Sequence, residues 1–381
     1  MFQDSVDPAM LRHHGDVDAR PGMLDFAVNV RGTAPPAWLR DRLAARLDDL
    51  GRYPSAADEA AARAAVAARH GRRPDEVLLL AGAAEGFALL PRLTPRLAAV
   101  IHPSFTEPEL ALREAGIPVT RVVLEPPYTL DPALVPEEAD LVVLGNPTNP
   151  TSVLHPAAMI HALRRPGRIV VVDEAFADAV VGAGSSPDSD SDQPALGAAV
   201  AAGSSGAPET LAGSAVQGDP ESLAALSAPD VLVLRSLTKT WALAGLRCGY
   251  ALGAPEVLAR LTHGRPHWPL GTLQLEAISA TAEPSAVAAA REHAGDIAVE
   301  RSVMIERLTA LGIEVRTPAA GPFLLLRVTD GELVRKRLAD RGIAVRRADT
   351  FPGLGPDHLR VAVRAPAEVD RLIDGLRAAL W

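Results

Sequence analysis

The sequence predicts an α/β protein with a mostly parallel sheet. Short apolar runs recur along the chain, and Ala-rich stretches with helical periodicity separate them. A chain of 381 residues has room for two domains and a sizeable core. The runs that we predict as strands of the main sheet are residues 77–82, 98–102, 119–124, 141–146, 168–174, 231–236 and 248–253.

Helices are predicted between and after these strands. Residues 56–70 form the clearest case, because Ser55 and Asp58 are spaced as a helix N-cap and Gly71 is typical of a helix end. A long helix is expected over 284–312, where apolar residues recur at a spacing near 3.6. Further helices are expected at 84–93 and 109–116, and short strands of a smaller α+β domain at 322–328, 342–347 and 359–364.

The order of these elements suggests a division of the chain. Residues 49–269 are expected to form a large domain, and residues 270–381 a small one. The N-terminal segment 1–48 is expected to join the small domain. Within the large domain, residues 184–218 consist mostly of Gly, Ala, Ser, Pro and Asp. Such a composition buries too little apolar surface to offset chain entropy, so we predict a disordered surface insertion there.

Composition excludes several classes of function. A net charge of −9, without a basic stripe carrying aromatics, argues against a nucleic-acid surface. The N-terminus is acidic and lacks an apolar run, and no apolar stretch is long enough to span a bilayer. We therefore expect a cytoplasmic protein with no membrane partner. The single cysteine, Cys248, leaves no cluster for structural zinc, and no metal is expected.

One lysine stands out in a chain whose cations are nearly all arginine. The only lysines are Lys239 and Lys336. Lys239 follows the apolar run 231–236, so it should emerge at the carboxyl end of a strand, where open α/β sheets place their sites. A partly desolvated lysine there can attack a carbonyl and form a Schiff base, whereas arginine stays protonated. Taken alone, a lysine at this position is more often a surface residue.

The neighbours of Lys239 favour the catalytic interpretation. Ser236 and Thr238 offer hydroxyl groups, and Arg247 offers a guanidinium suited to a phosphate. The pattern S-x-T-K followed by G-L-R resembles the lysine segment of fold-type-I pyridoxal-phosphate enzymes, the aspartate aminotransferase superfamily. The resemblance implies an aspartate-aminotransferase-like fold, pyridoxal 5′-phosphate as cofactor, Lys239 as the catalytic residue, and the other three residues as phosphate ligands.

Four upstream segments resemble the same family in the same order. In RIVVVDEAF, Asp173 would pair with the pyridine nitrogen of the cofactor, although a helix N-cap is the alternative role. In GNPTNPTS, Asn149 would bind the 3′ oxygen. In AGAAEG, the backbone N–H groups of Ala83 and Ala84 would approach the phosphate, and in HPSFTE, Phe105 would stack on the pyridine ring.

A fifth segment, GRYPSAAD, implies a homodimer. Tyr53 would reach the phosphate of the cofactor in the neighbouring subunit. Two positions and one tract depart from the family pattern. Ser152 stands in place of a glycine and Phe176 in place of a tyrosine, and HWPLGTLQ (267–274) stands in place of P-W-S-x-N, where Trp268 matches but the Ser and Asn do not. The last departure bears on the substrate pocket and not on the cofactor.

The resemblance implies an amino-acid substrate, and we predict that it is phosphorylated. By the resemblance, Arg360 would clamp the α-carboxylate and Arg346 a substrate phosphate. The N-terminal segments LRHHGDVD and LDFAVNVRGTAPP resemble those of cobalamin-biosynthetic threonine-phosphate decarboxylases, which would bring His14 and Asn29 near the substrate.

We therefore predict a decarboxylase of that kind. The alternative is an aminotransferase of the histidinol-phosphate type, since which Cα bond breaks depends on pocket geometry. A lesser alternative is a non-catalytic regulator that binds the cofactor.

Overall fold

The computed structural model describes residues 8–181 and 219–380, so the predicted insertion at 184–218 lies outside the described residues. The strands, numbered in chain order, are β1 (Leu24–Asp25), β2 (Val77–Leu80), β3 (Ala98–His102), β4 (Val119–Val123), β5 (Leu141–Gly145), β6 (Ile169–Asp173), β7 (Val231–Ser236), β8 (Gly249–Leu252), β9 (Glu314–Val315), β10 (Phe323–Arg327), β11 (Ile343–Ala344), β12 (Arg346–Arg347) and β13 (His358–Ala362).

The α-helices are α1 (Pro8–Leu11), α2 (Gly15–Asp18), α3 (Ala37–Ala44), α4 (Ala56–His70), α5 (Ala83–Leu89), α6 (Glu107–Glu114), α7 (Ala157–His161), α8 (Pro255–Thr262), α9 (Thr272–Thr281), α10 (Pro284–Ala310), α11 (Gly331–Asp340) and α12 (Pro366–Leu380). Short 3-10 helices lie at Leu47–Gly51, Pro74–Glu76, Leu90–Leu93, Pro132–Leu134 and Ala177–Ala179. None of the helices in the described ranges is both long and apolar enough to cross a membrane.

The main sheet has seven strands in the order β2-β8-β7-β6-β5-β3-β4. All are parallel except β8, which runs antiparallel to both β2 and β7. Along β6, Val170 and Val172 lie in one hydrophobic core and Val171 in another, so the sheet is buried on both faces. The predicted α/β class and the seven-stranded, mostly parallel sheet are confirmed.

Helix α4 begins and ends where its sequence signals predict. Ser55 Oγ accepts a hydrogen bond of 3.0 Å from the backbone N–H of Asp58, which caps the helix start. Gly71 ends the helix at a φ of 63°, a left-handed conformation that glycine adopts without strain.

Four antiparallel strands form a second sheet, in the order β12-β13-β10-β9, with its own hydrophobic core. The run 342–347 was predicted as a single strand, but it divides between two sheets. Ile343–Ala344 pairs in parallel with Leu24–Asp25, while Arg346–Arg347 pairs with β13. The division arises because the N-terminal segment supplies a pairing partner for the first half of the run.

Helices α9 and α10 connect the two cores. The buried apolar residues of α9 belong to the core of the seven-stranded sheet, and α9 packs on α3 and α4. Ala286 and Ala290 in the first part of α10 lie in that same core, whereas Met304 and Leu308 near its end lie in the core of the smaller sheet. The chain therefore passes from one core to the other within α10.

Candidate active site

A cavity of about 450 Å³ opens at the carboxyl edge of the seven-stranded sheet. It is lined by every residue predicted for the site except Tyr53. The predicted residues that line it are His14, Asn29, Ala83, Ala84, Phe105, Asn149, Asp173, Ser236, Thr238, Lys239, Arg247, Arg346 and Arg360. Parallel strands bring their carboxyl ends to one edge, which explains how segments far apart in sequence meet here.

One corner of the cavity fits a phosphate group. Ser236 Oγ and Thr238 Oγ1 lie 2.8 Å apart. A Cβ atom added at Gly82 would lie 3.0 Å from Nη2 of Arg247, and one added at Gly249 would lie 3.0 Å from the backbone N of Ala83. The two glycines thus let the guanidinium and the start of α5 come together. Two hydroxyls, a guanidinium and backbone N–H groups form a donor set that suits an oxyanion.

Asp173 ends β6 and borders the cavity. Burial raises the pKa of its carboxyl from 3.8 to about 6, although a hydrogen bond from the backbone N–H of Ala175 and the charge of Lys239 both act to lower it. A carboxylate in such a place is costly unless a cationic group pairs with it. A protonated pyridine nitrogen fits this requirement, so the residues present suit pyridoxal phosphate.

Arg360 and Asn149 both line the cavity and contact each other. Nη1 of Arg360 donates to Oδ1 of Asn149 at 2.8 Å, and Nη2 donates to the backbone oxygen of Ala27. Since Oδ1 is engaged, Asn149 can offer a ligand the N–H groups of its Nδ2. Burial lowers the pKa of Arg360 to about 9, and its buried Nε has no hydrogen-bond partner among the described residues. Such a guanidinium is suited to receive an anionic group of a ligand.

Arg346 is held by the N-terminal segment. Its Nη2 donates to the backbone oxygen of His13 at 2.6 Å and to Thr350 Oγ1 at 2.7 Å, and its Nη1 lies 3.5 Å from Oδ2 of Asp18. The side chain of Asp18 is buried and also lies 3.4 Å from Arg335. Sequence reasoning missed Asp18, for which the only signal was its place in HHGDVD.

His14 and Asn29 also line the cavity. Nε2 of His14 lies 2.5 Å from a carboxylate oxygen of Glu107, and its ring centroid lies 5.3 Å from that of Phe105. Glu107 was also missed, and no sequence signal points to it. The side chain of Asn29 is buried, and neither amide atom has a hydrogen-bond partner within the described ranges. Both residues therefore border the space that a substrate would fill.

Tyr53 does not lie in the cavity. Its side chain is 75% exposed and stacks on the ring of Trp268, itself 58% exposed, with centroids 4.4 Å apart. The predicted role of Tyr53 requires the neighbouring subunit, and the structure contains one chain. Trp268 belongs to the tract 267–274, where the sequence departs from the family pattern.

A larger groove of about 820 Å³ lies beside the cavity, between the N-terminal segment and α10. Trp38, Trp241 and His293 line it, and it holds none of the residues predicted for the site. Titratable groups and the donors suited to an oxyanion converge instead on the smaller cavity around Lys239, which is therefore the candidate active site.

Comparison with known proteins assigns the chain to a family. The family model of class I and II aminotransferases matches residues 21–376. A Mycobacterium bovis protein named histidinol-phosphate aminotransferase is 54% identical over 361 residues, which cover 95% of this chain and 89% of that protein. A threonine-phosphate decarboxylase of Salmonella typhimurium is 27% identical over 370 residues, which cover 94% of this chain and 91% of that protein.

Similarity of structure agrees with this assignment at the level of fold. A solved structure of a mutant aspartate aminotransferase from Thermus thermophilus superposes with a TM-score of 0.74 at 19% identity, covering 93% of this chain and 95% of that one. The predicted aspartate-aminotransferase-like fold is thus confirmed. The chain belongs to the class I and II aminotransferases and is an enzyme of that pyridoxal-phosphate-dependent family.

Proposed function

We propose that the protein is an aminotransferase of the histidinol-phosphate type, which moves an amino group from a phosphorylated amino compound to a keto acid. The observation that carries the proposal is the 54% identity, over 95% of the chain, to a protein named histidinol-phosphate aminotransferase. The named decarboxylase is 27% identical. The main prediction from the sequence was a threonine-phosphate decarboxylase, and the alternative was an aminotransferase of the histidinol-phosphate type. The comparisons favour the aminotransferase, and they do not support a role in cobalamin biosynthesis.

The proposed division of labour starts with the cofactor. When bound, pyridoxal phosphate supplies an electron sink for the charge left at the substrate Cα. Asp173 would hold a proton at the pyridine nitrogen, and Asn149 would donate from Nδ2 to the 3′ oxygen. Lys239 would hold the aldehyde carbon through Nζ and afterwards move the Cα proton. Phe105 would cover one face of the ring.

The phosphate of the cofactor would occupy the corner described above. Its proposed ligands are the hydroxyls of Ser236 and Thr238, the guanidinium of Arg247, and the backbone N–H groups of Ala83 and Ala84. This donor set neutralises the phosphate charge and fixes the position of the ring relative to Lys239.

Four residues would bind the substrates. Arg360, whose Nε has no partner among the described residues, is suited to the carboxylate of the keto acid. Arg346 would bind the phosphate of the amino donor, and the amide of Asn29 and the ring of His14 would complete that part of the cavity.

We propose further that the enzyme is a cytoplasmic homodimer in which Tyr53 reaches the cofactor of the other subunit. The exposure of the Tyr53 and Trp268 rings supports a contact at that surface. For the domains we keep residues 49–269 as the core of the large domain, with residues 1–48 joining the small one. The packing of α9 supports moving the junction from residue 270 into α10.

Product analysis tests the proposed reaction. The purified enzyme is incubated with histidinol phosphate and 2-oxoglutarate, and in parallel with threonine phosphate with and without the keto acid. We expect one glutamate for each histidinol phosphate consumed and no carbon dioxide from threonine phosphate. Release of carbon dioxide without an acceptor would instead support the decarboxylase. Bound cofactor without turnover of either compound would support the regulator.

Replacing Arg360 with lysine is expected to raise the KM for 2-oxoglutarate by about 10- to 100-fold, because an ammonium cannot make two parallel hydrogen bonds to a carboxylate. The KM for histidinol phosphate should change less. Arg364→Lys is the matched control, since Arg364 is a nearby guanidinium that donates to backbone oxygens of Asp25 and Val28 and lies outside the cavity. Equal changes in the two variants would argue against a carboxylate at Arg360.

A further inference from the structure

A buried histidine outside the cavity holds the loop that carries Asn149. His155 lies three residues beyond the GNPTNPTS motif, and its side chain is 1% exposed. Its Nδ1 accepts a hydrogen bond of 3.3 Å from the backbone N–H of Leu130. Its Nε2 lies 3.1 Å from Oγ1 of Thr148, which donates to the backbone oxygen of Gly145 at 2.7 Å.

These contacts fix the protonation of the ring. A backbone N–H can only donate, so Nδ1 of His155 must carry a lone pair and the hydrogen must be on Nε2. Nε2–H then donates to Oγ1 of Thr148, whose own hydrogen goes to Gly145. Burial lowers the pKa of His155 to about 4, so the ring is neutral at physiological pH. Each of the three donors in this series of hydrogen bonds therefore has an acceptor.

Thr148 is itself held in place on several sides, and it is bonded directly to Asn149, the next residue. The backbone N–H of Thr148 donates to the oxygen of Val153 at 2.8 Å, and its backbone oxygen accepts from Ser152 at 2.7 Å. With the hydroxyl also engaged on both sides, Thr148 has little freedom to rotate.

The backbone of His155 holds the other end of the loop. The side chain of Asn146 accepts from the backbone N–H of His155 at 2.7 Å and donates to its backbone oxygen at 3.1 Å. The turn between Asn146 and Ser152 is therefore tied to one residue at its start, through Asn146, and in its middle, through Thr148.

We propose that His155 is a positioning residue for the cofactor: through Thr148 it orients Asn149, so that Oδ1 meets Arg360 and Nδ2 faces the 3′ oxygen. This inference rests on the role proposed above for Asn149. It assigns a role to a residue that lies outside the GNPTNPTS motif. It also gives a role to a histidine that is buried outside the cavity with polar partners, Asn146 and Thr148.

Cofactor binding and absorbance test the proposal without turnover. The holoenzymes of His155→Leu, Thr148→Val and the double variant are compared with the unaltered enzyme and with Asn149→Ala. The dissociation constant of pyridoxal phosphate and the pH titration of bound-cofactor absorbance are measured. We expect each single variant to weaken cofactor binding about tenfold and to shift the titration in the same direction as Asn149→Ala. The double variant should bind the cofactor no more weakly than either single variant, because both substitutions break the same hydrogen bond between His155 and Thr148.

His70→Leu is the matched control, since His70 is a second buried histidine, bonded to the hydroxyl of Tyr250 at 2.9 Å and outside the cavity. It should lower thermal stability without shifting the absorbance titration. His155→Gln, which keeps a donor near Nε2 and is gentler on folding, should restore most of the binding. A stability loss in His155→Leu like that of His70→Leu, with the titration unmoved, would overturn the proposal.

The positioning role of His155 and the proposed reaction are contradicted by different outcomes. Additive effects in the double variant, or no effect of Asn149→Ala on the titration, would also overturn the positioning role. By contrast, failure to turn over histidinol phosphate would count against the reaction alone, because the binding and absorbance measurements need no substrate.

Discussion

Replacing Lys239 with arginine is expected to lower turnover by about four orders of magnitude and to abolish the absorbance of the lysine-bound cofactor. Proton transfer by a positioned side chain alone contributes on the order of 10²- to 10⁴-fold, and the covalent role of the amine would be lost as well. A guanidinium remains protonated, so it can neither bond to the aldehyde nor accept the Cα proton. The positive charge that faces Asp173 is nevertheless retained, so the loss would be chemical and not electrostatic.

The other lysine of the chain provides the control. Lys336 lies on α11 with 64% of its side chain exposed, 3.5 Å from Glu332. Lys336→Arg should leave both turnover and absorbance unchanged, because an exposed ion pair contributes little. Turnover in Lys239→Arg within tenfold of the unaltered enzyme would remove Lys239 from the reaction.

The strands of the main sheet could be predicted because most are buried on both faces and appear as continuous apolar runs. Their order could not be predicted, nor could the reversed direction of β8, since CGYALG looks like any parallel run. The prediction of a single strand at 342–347 was wrong for a related reason. Its partner, Leu24–Asp25, lies more than 300 residues earlier in the chain, and such pairings leave no local pattern.

The residues that meet at the cavity could be predicted because most of them follow the carboxyl end of a strand closely, in segments whose order resembles one family. Asp18 and Glu107 could not be predicted, because each contacts a partner, Arg346 or His14, that only folding brings near. The motifs also could not distinguish transamination from decarboxylation, because both kinds of enzyme share them. Similarity over the whole chain favoured the first, where local motifs had favoured the second.

Replacing Asp173 with asparagine is expected to have opposite effects on activity and on stability. Turnover should fall on the order of 10²- to 10³-fold, because a neutral amide does not hold a proton at the pyridine nitrogen, and loss of one preorganised electrostatic contact costs about that much. Without cofactor, however, the variant should be more stable at pH 8 by up to about 3 kcal/mol, which corresponds to the rise in the pKa of Asp173 from 3.8 to about 6.

The sign of the stability change follows from the order in which the two states ionise. At pH values well below 3.8 the carboxyl of Asp173 is neutral in both the folded and the unfolded chain, so the variant and the unaltered protein should match, and at pH 4 their difference should still be small. Between about pH 4 and 6 the unfolded chain ionises first, which favours unfolding, and above pH 6 the loss is complete. Urea unfolding of the cofactor-free proteins at pH 4 and pH 8 measures the difference, provided that both remain two-state.

Asp178→Asn is the matched control with the opposite sign. The Asp178 carboxylate is buried five residues further on, and Arg69 and Arg235 hold its pKa well below the usual range. Removing its charge leaves two buried guanidinium groups without this partner, so stability at pH 8 should fall by about 3 kcal/mol or more. A loss of stability in both variants at pH 8 would show that Asp173 is already paired in the cofactor-free chain. In that case its carboxylate would not be the strained group that pyridoxal phosphate relieves.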